Sequence, residues 1–73
     1  MLKEDKGMEF LYEMAELGDT LAQGFLGSLF EHGIDVKQDY DEAVKWYRKA
    51  AEQGDGEAVK RLVELRKKGV RVD

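Results

Sequence analysis

Residues 15–37 read AELGDTLAQGFLGSLFEHGIDVK and residues 51–73 read AEQGDGEAVKRLVELRKKGVRVD. Laid over one another at an offset of 36, nine of the 23 pairs are identical: Ala15/Ala51, Glu16/Glu52, Gly18/Gly54, Asp19/Asp55, Ala22/Ala58, Leu26/Leu62, Leu29/Leu65, Gly33/Gly69 and Val36/Val72. Glycines, a capping aspartate and spaced apolar residues dominate the matches, and these are the positions that a repeating backbone constrains. Gly18 and Gly54 fall where a helix has to turn left-handed to stop. Asp19 and Asp55 follow them and can cap the next helix by accepting its free backbone N–H groups. Each Gly-Asp pair therefore predicts a tight helix-to-helix turn.

Working outward from these turns, Ala22, Leu26, Leu29 and Phe30 keep the i, i+4, i+7 helical spacing, as do Ala43, Trp46, Tyr47 and Ala50. The spacing predicts four helices, at about 4–17, 20–32, 40–53 and 56–68, and no strand pattern competes. Residues 33–39 read as a loop whose Ile34 and Val36 tuck under the helices. Small Ala22, Gly27, Ala43 and Ala50 allow helix axes to approach to about 8–10 Å, while Phe10, Leu26, Phe30, Trp46 and Tyr47 fill the remaining volume.

The whole chain of 73 residues has room for one small domain. It contains no Cys and no Pro and a single His, which removes disulfides, thiolate metal sites and cysteine nucleophiles. No run approaches the roughly 20 apolar residues that a membrane-spanning helix needs, and residues 1–5 lack a signal-peptide core, so the expected compartment is the cytoplasm. Charge is unevenly placed. Residues 1–44 hold 11 acids and 3 bases, net -8, and residues 45–73 hold 5 acids and 9 bases, net +4. An overall charge of -4 argues against nucleic-acid binding, which relies on Lys and Arg displacing counterions. The opposite poles suit weak head-to-tail association of copies.

These residues resemble the Sel-one-like repeat family, a relative of the tetratricopeptide repeat. The resemblance rests on Gly18, Asp19, Ala22, Leu26, Gly27, Phe30, Gly33, Val36 and Asp39, followed by Ala43, Trp46, Tyr47, Ala50, Ala51 and Gly54. It implies an all-α fold, a short right-handed α-solenoid of antiparallel helix pairs. Residues 1–73 would form a single domain: the second helix of one repeat, one full repeat, and the first helix of the next. In the last helix Val63 replaces Gly27 and Arg66 replaces Phe30, so the notch and knob for a following helix are missing and a polar terminal face is expected.

Catalytic and metal-binding readings fare poorly. Ser28 and His32 share a helix face with Glu31 beside them, but the sequence supplies neither an oxyanion hole nor a buried orienting acid. Asp35, Asp39, Asp41 and Glu42 lack EF-hand spacing and suit helix capping better. Gly24 and Gly27 are not followed by the Lys of a phosphate loop. No enzyme activity, cofactor or metal is expected.

The resemblance implies that the first helix of each pair lines a concave face. On the second helix that face is Leu21, Gly24, Phe25, Ser28, Glu31 and His32; adding 36 gives Glu57, Lys60, Arg61, Glu64, Lys67 and Lys68. Leu21 and Phe25 either anchor a partner or complete the core against the first helix. The expected function is a noncatalytic protein-protein interaction module, with the apolar pair as anchor and Lys60, Arg61, Lys67 and Lys68 meeting acidic groups. An alternative is an inhibitor or immunity-type antagonist that covers a basic site on an enzyme with Glu4, Asp5, Glu9, Glu13 and Glu16.

Overall fold

Each turn signal ends or starts a helix in the computed structural model, which describes residues 6–73. The elements are α1 (Lys6–Glu16), α2 (Thr20–His32), α3 (Tyr40–Glu52) and α4 (Gly56–Lys67), with no strand among the described residues. The expected helix boundaries agree to within about two residues; the expected start at residue 4 lies outside the described residues. Asp19 Oδ1 accepts the Ala22 N–H at 3.0 Å, Asp39 Oδ1 accepts from Glu42 N–H at 3.1 Å, and Asp55 Oδ1 accepts from Glu57 N–H at 3.0 Å. Three of the four helices thus begin on an aspartate that satisfies an otherwise orphaned donor. Gly18 and Gly54 stand at φ 102° and 95°, left-handed as the turns require.

Successive helices pack on their chain neighbours, α1 on α2, α2 on α3 and α3 on α4. The result is elongated, with extents of 42 × 23 × 15 Å. Ala22 and Ala58 are both buried, as are Leu29 and Leu65, so the 36-residue offset relates equivalent positions in the fold as well as in the sequence. The core comprises Leu26, Phe30, Ala43, Val44, Trp46, Tyr47 and Ala50, with Tyr12 of α1 laid edge-on against both Phe30 and Trp46 at ring-centroid distances of 6.5 and 6.1 Å. Buried Gln23 donates to the Ala15 carbonyl at 2.9 Å, and Gln53 donates to the Gly18 carbonyl and to Gln23 Oε1. This amide relay ties α1, α2 and the end of α3 together and pairs both polar ends of the buried Gln23 amide.

Two core expectations are corrected. Phe10 is 64% exposed rather than core. It occupies on α1 the place that Trp46 occupies on α3, but Trp46 is enclosed by α1 and α2, whereas no described helix lies on the far side of α1. Ile34 is half-exposed while Val36 packs against the core. The loop turns left-handed at both Gly33 (φ 67°) and Asp35 (φ 63°), which carries Ile34 away from the cover that Val36 reaches.

Candidate functional site

Helices α2 and α4 both lie on α3 and leave between them a groove of about 590 Å3. Leu21, Gly24, Phe25, Ser28 and His32 form its α2 wall, Asp55, Glu57 and Arg61 its α4 wall, and Tyr47 and Ala58 complete the lining. Its width depends on small residues. A Cβ on Gly24 would stand 3.5 Å from Asp55 Oδ2, so the missing side chain is what leaves that space open. Leu21 and Phe25 are 84% and 58% exposed. They take the outward of the two placements the sequence allowed and present a Leu-Phe edge to solvent instead of completing the core.

Glu31 lies at one end of the groove but belongs to the interior. It is 2% exposed, which corrects the expectation that it faces solvent. Its Oε1 accepts the Tyr47 hydroxyl at 2.7 Å and its Oε2 accepts from Arg61 at 2.9 Å, so one carboxylate joins α2, α3 and α4. Burial alone would raise its pKa; the hydrogen bonds from Tyr47 and Arg61, with the Arg61 and His32 charges, overcome that and hold it below the usual carboxylate value. Tyr47 shifts the opposite way. Burial, then the hydrogen bond to Glu31 and that group's charge, push its phenol to about 12. The hydrogen bond to Glu31 raises the Arg61 pKa against the opposing effect of its own burial.

Arg61 therefore already has an acidic partner within the chain, which corrects its reading as a base free to meet a ligand. Its guanidinium remains 32% exposed at the groove and carries donors beyond the one given to Glu31. Lys60, Glu64 and Lys67 on α4 and Lys68 just past its end are exposed, yet none of them lines the groove. The groove's charge is consequently mixed, with Asp55 and Glu57 where α4 begins and Arg61 and His32 further along, rather than one basic wall. Sequence periodicity missed Tyr47 and Asp55 as lining. A buried tyrosine hydroxyl has to find a partner, and that requirement was the available signal.

The His32 ring turns its Nδ1 to the Ser28 backbone carbonyl, 3.0 Å away, and not to the Ser28 hydroxyl, so the pair does not form a nucleophile and base. Among the described residues no three His, Asp or Glu side chains converge as a metal site, and Asp39 is engaged as a cap. No described helix is long and apolar enough to cross a membrane. Glu9, Glu13 and Glu16 are exposed along α1; Glu4 and Asp5 lie outside the described residues. A second, apolar recess of about 360 Å3 lies on the far side of Leu21 and Phe25, between them and Phe10, Leu11 and Met14 of α1. The sequence reading did not anticipate it.

The chain is 36% identical over 61 residues to the DAP3-binding cell death enhancer 1 of Rattus norvegicus and 34% identical over 61 residues to that of Mus musculus. The alignment covers 84% of this chain but 12% of either relative, so the chain spans about an eighth of the length of these curated relatives. No solved structure matches it. The Sel1 repeat profile matches residues 3–19 and 20–55, more than half of the chain; the first match ends on the Gly18-Asp19 turn, and the second contains α2, α3 and the Gly54-Asp55 turn. With four helices in sequential packing and a 36-residue offset between equivalent positions, the chain belongs to the Sel1 repeat family.

Proposed function

We propose that the chain is a noncatalytic interaction module that receives a peptide segment of a protein partner in the groove between α2 and α4. The observation that carries this reading is the Leu21-Phe25 edge, left in solvent beside a groove of about 590 Å3 on a rigid helical frame. Exposed apolar side chains next to a concavity are the anchors that partner side chains cover, and a few such contacts supply most of a binding energy. Sel1 repeats generally mediate protein-protein interaction. The relatives, whose name says that they bind DAP3, add support for a protein partner. The mixed charge of the groove favours a segment that places a base toward Asp55 and Glu57 and an acid toward Arg61, in place of the acidic groups expected from the sequence to meet Lys60, Arg61, Lys67 and Lys68.

Selection from a displayed peptide library tests this directly. Enriched peptides are expected to bind the native chain and to lose at least tenfold in affinity to Leu21→Asp and to Gly24→Leu, which remove the anchor and fill the groove. Affinity for Lys67→Glu should stay within about threefold, since that residue lies outside the groove. Peptides that bind Gly24→Leu as well as they bind the native chain would reject the reading.

A further inference from the structure

The lining of the groove repeats at the same offset as the sequence, with one difference. Tyr47, Asp55, Glu57, Ala58 and Arg61 have Leu11, Asp19, Leu21, Ala22 and Phe25 as their equivalents 36 residues earlier, and those five also lie together, in the recess between α1 and α2. The capping aspartate and the small alanine are kept. Tyr47, Glu57 and Arg61 stand where the earlier set has two leucines and a phenylalanine, so the repeat backbone accepts apolar residues at these places and does not itself require charge. Stability gives no reason for it either, because a buried ion pair such as Glu31 with Arg61 roughly breaks even against apolar residues of similar size. What the charges do is give the α4 wall of the groove a sign at each end. Glu57 is exposed in the first turn of α4. One turn further on, Arg61 is held by Glu31 at 2.9 Å while its side chain stays 32% exposed, so the guanidinium has a fixed position and donors to spare.

Spacing decides which ligand conformation can use both ends. Glu57 and Arg61 are four residues apart on a helix, about 6 Å along its axis. In an extended chain, side chains two residues apart point the same way and lie about 6.6 Å from each other, while the residue between them points the opposite way. Opposite the charged wall stands the apolar one, Leu21, Gly24 and Phe25 of α2. A strand laid along the groove therefore turns a base to Glu57, an acid to Arg61, and the side chain between them to Leu21 and Phe25. A helix is too wide for the same space. From Leu21 to His32 the α2 wall runs about 16 Å, which gives a groove of about 590 Å3 a mean cross-section of about 37 Å2. A strand occupies about 48 Å2 in a sheet, and a helix 10 Å across about 80 Å2.

We infer, on the reading of the groove as a peptide site, that its ligand is an extended segment with a base and an acid two residues apart and an apolar residue between them. The base meets Glu57 and the acid meets Arg61. Asp55 lies beside Glu57 in the lining and strengthens the preference for a base at that end. Glu31 holds Arg61 before the ligand arrives, so the acid finds its partner in place and less side-chain freedom is lost on binding.

Peptides enriched from a displayed random library on the native chain, and kept only if they lose affinity to Gly24→Leu, test this. They are expected to carry Lys or Arg and Asp or Glu at i, i+2 around an apolar residue, more often than at i, i+1, i, i+3 or i, i+4. A synthetic peptide of an enriched sequence, followed by fluorescence anisotropy, then assigns each end. Replacing its base by Glu should cost at least tenfold on the native chain. Glu57→Lys, at an exposed position, should weaken the original peptide at least fivefold and bind the Glu-substituted one in preference. Replacing the peptide's acid by the amide should cost at least tenfold on the native chain and less than threefold on Arg61→Met. Should that variant lose its helical circular dichroism, the Glu57 exchange decides alone. Groove-dependent peptides whose charges favour i, i+4 or no spacing, or a Glu57→Lys chain that does not exchange its preference, would overturn the inference and leave the groove a peptide site. A library that yields no peptide sensitive to Gly24→Leu would reject both.

Discussion

Gly27 and Tyr47 are packed so that the ring of one occupies the space where a side chain on the other would begin, with Cδ1, Cε1 and Cγ all within 3.0 Å of a Cβ built on Gly27. The same ring carries the hydroxyl that binds Glu31, so it cannot swing away without breaking that bond. Gly27→Ala should therefore destabilise the chain. The added methyl overpacks the interface by about 1–3 kcal/mol, against a helix-propensity gain of about 1 kcal/mol. Urea unfolding followed by circular dichroism should show a net loss of up to about 2 kcal/mol, and Gly24→Ala, where the nearest atom stands at an ordinary 3.5 Å, should show none.

Removing Arg61 leaves the Glu31 carboxylate in the interior with the Tyr47 hydroxyl donating to it at 2.7 Å. Breaking a fully buried pair costs about 3–5 kcal/mol, but Arg61 is 32% exposed, and water can reach part of the vacated site, so Arg61→Ala should cost about 2 kcal/mol at pH 7. The loss should shrink near pH 4, because without the arginine burial favours a protonated, uncharged Glu31. Equal losses at the two pH values would show that the charge contributes nothing and that only packing was removed.

Tyr47 and Glu31 set opposite ends of the pH range. The Glu31 pKa is lowered in the folded chain, so its contribution is present above the ordinary value of 4.5 and is lost as pH falls through the lower folded value. The Tyr47 pKa is raised from 10.0 to about 12, so its contribution is complete below pH 10 and disappears between about 10 and 12. Thermal melts should show a fall in Tm across that alkaline window which Tyr47→Phe, lacking this hydroxyl, reduces to the part that Tyr12, also raised by burial, contributes.

Asp19→Ala and Asp55→Ala each remove a single cap bond. Each should cost about 1 kcal/mol, and the double variant should be additive to within about 0.5 kcal/mol because the two caps share no bonding partner. Calorimetry of the three variants checks both figures.

Helix positions were legible because their causes are local. An aspartate after a left-handed glycine, and apolar residues at helical spacing, act within a few residues of chain, and the offset of 36 relates Ala22 to Ala58 from the sequence itself. The site was legible on its α2 wall and, on α4, at Glu57 and Arg61. Leu21, Gly24, Phe25, Ser28 and His32 line the groove because a single helix face is periodic. Glu31 was misread since its burial is decided by Tyr47 and Arg61, 16 and 30 residues away, and periodicity says nothing about such partners. Lys60, Lys67 and Lys68 were misassigned for a related reason: charge is visible in a sequence, but which side of a packed helix faces its neighbour depends on the crossing geometry. Phe10 looked like core by analogy with Trp46, although burial needs cover on both sides of a helix.

The sequential packing of α1 through α4 also governs how the chain reaches its fold. Surfaces that pair are separated by short connections, so little loop-closure entropy opposes their meeting, and chains rich in such local contacts fold in microseconds to milliseconds. Opening should follow the same order in reverse. Helix α1, covered on one face and tied to the rest by Tyr12 and the Gln23 amide, is the element whose backbone amides should exchange with deuterium first, while those of α3, enclosed by neighbours on both sides, should be the last to do so.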